Sequence, residues 1–316
     1  MAAATDISIS SINNAIFSAD NSASSMDNPF SKVDSPSPIE LVESKIDCDF
    51  SNNPIELKID TTSAQPFILI TSLYNETDVA RAQEYLTCLE KNLIHPSIQS
   101  IHVVYDTSRD DLNNYVLNYL KLKNVKITYI VGRPTFGYLF KLINEQYPQN
   151  KIIISNADIY FNETLHVLDS YDLQEKFLAL TRWNVKADGS IEIFKQYDKN
   201  NNFRQDWSYY SQDTWIFQAP LKPFRYEGIE LGTFLCDGIV AFQAYQVKLH
   251  VFNPCWTIQC CHLHLSNIRN YQKMPPIQSE IMPVPWTTLY EQINKNENYF
   301  EKYQLKECDY QYFKRN

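Results

Sequence analysis

The residues best suited to chemistry lie where apolar runs give way to polar turns. Ile152–Phe161 reads IIISNADIYF, an apolar run that ends in Asn156 and Asp158. Residues two apart on an extended chain share a face, so both side chains are expected to point the same way at the end of a strand. Two oxygen donors there suit a hard divalent ion, Mg2+ or Mn2+, which also bridges a diphosphate. The bland reading is a turn in which Asn and Asp bond the local backbone. Arg133 and Gly137 follow a second apolar run, VKITYIV. A guanidinium at a strand end can fork onto phosphate, and a glycine permits close approach to a ligand; the alternative is a solvated Arg and a turn glycine beside Pro134.

The second half of the chain offers further candidates. Asp213 stands in SQDTWIF and Asp237 in LGTFLCDGIVAFQAY, ahead of a helix expected from Ile239. Asp213 reads either as a buried acid paired with an Arg or the backbone, or as a substrate contact. Asp237 reads as a helix cap or as a general base, which must reach the proton it removes. The run Cys255–His264, CWTIQCCHLH, mixes Cys and His at short spacing. It lacks the paired Cys-x-x-Cys of a structural zinc site. His262 and His264 share a strand face, and Ser266 and Arg269 follow as candidate anion contacts.

The elements that must position these residues alternate in type. Phe67–Leu73, Ser100–Tyr105, Val125–Val131 and Lys151–Ile154 read as strands; Thr77–Leu93, Asp110–Leu122 and Phe136–Tyr147 read as helices, the first with a stripe of Val79, Leu86, Leu89 and Leu93. This order predicts an α/β fold with a mainly parallel central sheet flanked by helices. Ligands in such sheets bind outside the carboxyl ends of the strands, so the loops after Leu73, Tyr105, Val131 and Ser155 are the places to look. Shorter strands are expected at Phe177–Thr181, Asp213–Phe217 and Thr257–Leu265. A last helix is expected from Trp286 to about Tyr303 behind Pro283 and Pro285. Residues 1–60, rich in Ser, Asn, Asp and Pro, read as a disordered leader. Within 61–316, residues 61–175 are expected to form a parallel-sheet half, 176–280 an α+β half and 281–316 a helical end.

The stretch Arg133–Phe161, RPTFGYLFKLINEQYPQNKIIISNADIYF, resembles the GT-A class of glycosyltransferases, in which a polar turn and helix precede a strand ending in Asp-x-Asp. Asn156 stands at the first Asp and Asp158 matches the second, the usual direct metal ligand. The resemblance covers residues 66 to 265 or so. It implies a nucleotide diphosphate sugar donor, a divalent cation, and an acceptor hydroxyl on a glycan, protein or small molecule. It also implies that Thr71, Tyr74 and Asn75 meet the base and ribose, with Tyr74 able to stack, and that Asp106 meets the base. Asn75 and Glu76 starting the next helix, and Asp106 as a turn or cap residue, are the alternatives. The resemblance further implies that His262 or His264 joins Asp158 at the metal and that Asp237 is the base if the enzyme inverts configuration. Two other functions share the sheet: nucleotidyl transfer, against which LYNETD lacks the expected Gly-rich basic turn, and non-catalytic binding of a nucleotide sugar, motivated by Asn156.

Bulk properties narrow the field. The 316 residues carry a net charge of −9, which disfavours a nucleic-acid binder, since phosphate neutralisation needs surplus Lys and Arg. The 7 cysteines are scattered and odd in number, as expected for free thiols in a reducing compartment. No apolar run approaches the ~20 residues that span a bilayer, and the first cation is Lys32. These features lead to the expectation of a soluble, cytoplasmic protein with no membrane span.

Overall fold

In a computed structural model the chain divides into Met1–Glu56 and Leu57–Asn316. The structure describes residues 65–111, 114–268 and 280–290. The expected leader, Leu112 of the second helix, Arg269, and 291–303 of the last helix lie outside them, as do Cys48 and Cys308.

The elements run β1 (Phe67–Tyr74), α1 (Val79–Leu93), β2 (Ile98–Asp106), α2 (Tyr115–Lys121), β3 (Lys126–Ile130), α3 (Phe136–Gln146), β4 (Lys151–Ser155), β5 (Ile159–Phe161), β6 (Lys176–Leu180), β7 (Trp183–Val185), β8 (Ile191–Ile193), α4 (Gln205–Ser208), β9 (Thr214–Gln218), α5 (Cys236–Gln246), β10 (His250–Phe252) and β11 (Cys260–His262). A 7-stranded sheet has the order β10-β6-β9-β4-β1-β2-β3. Every pairing in it is parallel except those of β9 with β4 and β6. A 4-stranded sheet, β5-β11-β7-β8, is fed by the chain leaving the carboxyl ends of β4 and β6.

Strand alternation divides the core between the two faces of the large sheet. Ile68, Ile70, Ile152, Ile154, Trp215 and Phe217 pack with Phe136, Leu139 and Phe140 of α3 and Ile239 and Val240 of α5. Phe67, Leu69, Ile153 and Ile216, one residue out of phase, pack with Leu86 and Leu89 of α1 and Val116 and Leu120 of α2. Each such buried side chain contributes roughly 1.5–3 kcal/mol. Burial on both faces is why β1 and β4 read as unbroken apolar runs. Side-chain oxygens of Asp78, Asn114 and Thr135 accept from backbone N–H groups at the starts of α1, α2 and α3, satisfying donors that a helix end leaves open.

Several expected boundaries shift for identifiable reasons. The helix expected from Asp110 starts at Tyr115, because Asn114 caps it while the Asp110 carboxylate accepts from Tyr105 and Asn114 side chains at 2.9 and 2.5 Å. Val79, placed on the inward stripe of α1, is 79 % exposed, whereas Arg81, Glu84, Tyr85 and Cys88 are buried. The strand expected over Thr257–Leu265 is confined to Cys260–His262, since Thr257 and Ile258 close a turn onto the Pro254 carbonyl, both at 2.9 Å. Residues 286–290 are not helical: Thr287 N–H donates to Asn253 O at 2.8 Å and Trp286 bridges Asn253.

Candidate functional site

A cavity of about 950 Å³ opens along the edge where the parallel strands end. Its wall includes Tyr74 at the end of β1, Asp106 at the end of β2, Arg133 after β3, Asn156 and Asp158 after β4, and Arg182 after β6. Because β9 runs antiparallel, its amino end brings Asp213 to the same edge. Asp237 in the first turn of α5, with His262 and His264 at the end of β11, completes the set of sequence-derived residues found there.

Four candidates lie elsewhere; one of them, Ser266, donates its N–H and Oγ to Glu84 at 2.6 and 3.0 Å. Thr71 is 6 % exposed and donates to the Ser155 carbonyl at 3.1 Å, tying β1 to β4. Asn75 is 4 % exposed and does not line the cavity. Gly137 does permit a close approach, but to the chain itself: a Cβ there would meet Glu227 Cβ at 2.3 Å, and Gly137 N–H donates to Glu227 O at 3.0 Å.

Asn156 and Asp158 are held separately. The strand ends at Ser155, so the two-residue alternation no longer governs. Asn156 Nδ2 donates to Asp213 Oδ1 at 2.9 Å, and its backbone N–H donates to Asp213 O at 3.1 Å. Asp158 Oδ2 instead pairs with Arg81 Nη2 and faces His262 Nε2 at 3.1 Å. Glu76 does not begin α1, whose cap is Asp78; it accepts from Tyr74 Oη at 3.0 Å.

One carboxylate and two imidazoles form the metal-competent group. Ligand atoms of Asp158, His262 and His264 all lie within 4.8 Å of one another. It is the one group of this kind among the described residues, and Cys255, Cys260 and Cys261 are buried free thiols outside it. Arg182 Nε–H donates to Asn184 Oδ1 at 3.2 Å, which identifies that atom as an acceptor, so His262 Nδ1, 3.1 Å away, is its second donor. His262 Nε2 is thereby aimed at Asp158, the outer-sphere arrangement that orients a metal-binding imidazole. His264 Nε2–H donates to Ile268 O at 2.9 Å, which leaves Nδ1 its lone pair. Burial, with Arg81 and His262 adding to it, pulls His264 below the ordinary histidine value, toward the neutral form that ligates metal. Asp158 Oδ1 is buried with no hydrogen-bond partner. An orphaned acceptor beside two imidazoles fits a divalent cation. Burial would raise the Asp158 carboxyl, but His262 and Arg81 more than offset it and hold it well below the carboxylate range.

The acid pair opposite in character is Asp213 and Asp237. Asp213 Oδ2 accepts from Arg182 Nη1 at 2.8 Å. Asp237 is not a helix cap; Leu235, at φ +67°, occupies that position. Its Oδ2 accepts from Gln212 N–H at 3.2 Å and its Oδ1 from the Cys236 thiol at 3.0 Å. Burial, reinforced by the charge of Asp213, pushes Asp237 up to about 8.

At the other end of the cavity, the Arg109 guanidinium lies 4.3 Å over the Tyr74 ring. Asp106 Oδ1 accepts from Ser108 and Gly132 N–H at 2.8 and 2.7 Å, the latter from a glycine at φ +87°. Arg133 Nη1 donates to Leu231 O and Gly232 O at 3.1 and 3.0 Å, fixing the loop before α5. Sequence reasoning missed Arg81, Glu84 and Arg182. The signal present for the first two was an opposite charge pair three apart, Arg81 and Glu84, next to an apolar stripe. Arg182 carried none.

No protein-family model and no curated protein matches the chain. Among solved structures, it is similar to GalNAc-T7 with UDP, GalNAc and Mn2+, at 11 % identity and TM-score 0.44 over 70 % of this chain and 47 % of that one. It is similar to the mannosyltransferase PcManGT from Pyrobaculum calidifontis in complex with GDP-Man and Mn2+, at 13 % identity and TM-score 0.42 over 69 % and 62 %. A third is S. aureus TarS 1-349 in complex with UDP-GlcNAc, at 18 % identity and TM-score 0.42 over 65 % and 62 %. The chain therefore spans less than two thirds of the length of each of these structures.

Proposed function

We propose that this chain is a GT-A type glycosyltransferase that moves a sugar from a nucleotide diphosphate sugar to an acceptor hydroxyl with the help of a divalent cation. The observation that carries this reading is the presence, in one cavity, of an aspartate–bis-histidine group with an orphaned buried oxygen and of a separate aspartate, Asp237, held by the Gln212 amide and the Cys236 thiol. Asp158, His262 and His264 would hold the ion, which when bound neutralises charge on the departing diphosphate. Tyr74 and Asp106 would receive the nucleotide base. Phe194, Trp207 and Tyr210 also line the cavity, with the Arg182 and Arg204 guanidinium groups over the rings of the first two. Asp237, once deprotonated, takes the proton of the attacking hydroxyl; a value near operating pH is what a general base needs. Asp213, fixed by Arg182 and Asn156, keeps Asp237 basic through its charge. Cytoplasmic residence belongs to the same reading; among the described residues no helix is long and apolar enough to cross a membrane.

The test is to incubate the purified chain with a panel of sugar nucleotides, with and without Mn2+, and to measure nucleoside diphosphate release. The reading expects release that depends on Mn2+ and is lost in Asp158→Ala. Release of pyrophosphate from nucleoside triphosphate and sugar phosphate would instead make the chain a nucleotidyltransferase. Failure to bind any sugar nucleotide in either condition would sink the proposal.

A further inference from the structure

Arg81 sits where an incoming cation is least welcome. Its Nη2 contacts Asp158 Oδ2, the oxygen that His262 also faces, while its Nη1 donates to Glu84 Oε2 at 2.7 Å. Both Arg81 and Glu84 are 7 % exposed, and Arg81 lines the cavity. Glu84 has little capacity to spare for a released guanidinium, because it also accepts from Leu265 N–H and Ser266 N–H, both at 2.6 Å, and from Ser266 Oγ at 3.0 Å. Asn156 brings no second negative charge to the ion, and its amide is committed to Asp213. A bare divalent ion would therefore meet a carboxylate already neutralised by a fixed positive charge at short range. A diphosphate changes that balance. Its oxygens accept both the ion and the guanidinium, which as a planar fork matches phosphate.

We propose that Arg81 is a selectivity residue that makes divalent-ion binding at Asp158 conditional on a diphosphate. With the cavity empty, Arg81 holds Asp158 Oδ2. When a diphosphate enters, Arg81 transfers its hydrogen bond to a phosphoryl oxygen, its charge is withdrawn from Asp158, and Oδ2 joins the already unpartnered Oδ1 as a ligand. Ion and diphosphate then bind with positive coupling, and by reciprocity each tightens the other by the same factor. The device keeps the site from filling with a cation that has no donor to serve. This inference rests on the reading of the cavity as a diphosphate site, but its first test does not need a nucleotide.

The experiment is calorimetric titration of the full chain with Mn2+ alone, then with Mn2+ in the presence of UDP or GDP. The wild type is expected to bind Mn2+ weakly alone and on the order of tenfold or more tighter with a diphosphate. Arg81→Gln is expected to bind Mn2+ alone more tightly than the wild type by a similar factor and to show a smaller coupling, the remainder coming from diphosphate oxygens that ligate the ion directly. Asp158→Asn is expected to lose Mn2+ in both conditions. Equal Mn2+ affinity of the wild type and Arg81→Gln, or no Mn2+ binding by Arg81→Gln, overturns the proposal. Should Arg81→Gln not fold, Arg81→Lys keeps the charge but not the fork. It is expected to retain weak binding of Mn2+ alone while losing most of the coupling, and full coupling in that variant overturns the role of the fork. A chain that binds neither UDP nor GDP would remove the functional reading itself, whereas diphosphate binding with no effect of Arg81 on Mn2+ removes only this inference.

Discussion

Asp158 and Asp237 are the same side chain on the wall of the same cavity, yet their neighbours drive them in opposite directions. Around Asp158 stand Arg81 and His262, and the carboxyl is held ionised although burial opposes it. Around Asp237 stand the Cys236 thiol, the Gln212 amide and the charge of Asp213, and among the described residues it makes no salt bridge. Arg182, whose charge opposes the rise, is paired with Asp213. Desolvation raises both carboxyls; at Asp237 the neighbouring charge of Asp213 adds to it, and at Asp158 the His262 and Arg81 contributions reverse it. A cavity wall can therefore present an ionised carboxylate for a cation and, elsewhere on the same wall, a proton acceptor without changing residue type.

The comparison can be broken most severely at the acid end. Asp237→Asn should lower kcat by on the order of 10²–10⁴ while leaving the donor KM nearly unchanged; steady-state kinetics with a donor identified by nucleoside diphosphate release checks this. The same substitution should raise the melting temperature at alkaline pH. A carboxyl raised from the ordinary ~4 to about 8 favours the folded state fully below the lower value, and that contribution is lost as pH rises through the upper one. The gain in Asp237→Asn should therefore be largest above about pH 8 and vanish in acid.

At the metal end the expected loss is in stability as well as activity. Asp158→Ala leaves the Arg81 guanidinium buried without one of its carboxylates, and denaturant unfolding should register a loss of ~3–5 kcal/mol. Arg81→Met with Asp158→Leu in one chain should recover part of that loss, since the penalty belongs to the unpaired charge. A smaller and more diagnostic effect is expected from Asp213→Asn. Removing its charge lowers Asp237, so the rise of kcat/KM with pH should shift toward lower pH; an unshifted profile would separate the two acids. Smallest is Gly137→Ala, which leaves both carboxylates untouched. The added Cβ collides with Glu227, and overpacking of this kind costs ~1–3 kcal/mol with Mn2+ affinity unchanged.

The four parallel strands and three helices of the first half were legible because their signals are local. Ile152–Ile154, unbroken in apolar residues, reads as a doubly buried strand and is one, whereas the caps Asp78 and Asn114, one and four residues past the expected helix starts, are not read from the sequence. Asp158 is placed at the cavity by its position after an apolar strand of the parallel sheet, whereas its grouping with His262 and His264, which follow a strand of the smaller sheet, comes from the family resemblance. What was not legible depends on direction and on distant neighbours. Nothing in SQDTWIF says that β9 runs against β4 and β6, yet only that direction carries Asp213 to the cavity. Arg81 and Glu84 look like an ordinary solvent-facing pair on α1. Their burial is decided by Asp158 and by Leu265 and Ser266, far along the chain. Asn156 kept its place at the cavity but not its expected partnership, because the chain turns immediately after Ser155.

The opposed settings of the two aspartates can be read most directly from the carbonyl stretch of protonated carboxyl groups in the infrared, comparing the wild type with Asp237→Asn and Asp158→Asn across neutral and alkaline pH. The account predicts that a protonated-carboxyl band present at neutral pH is missing in Asp237→Asn, is retained in Asp158→Asn, and in the wild type disappears as pH rises through about 8. A band lost in Asp158→Asn instead, or an Asp237 already ionised at neutral pH, would contradict it.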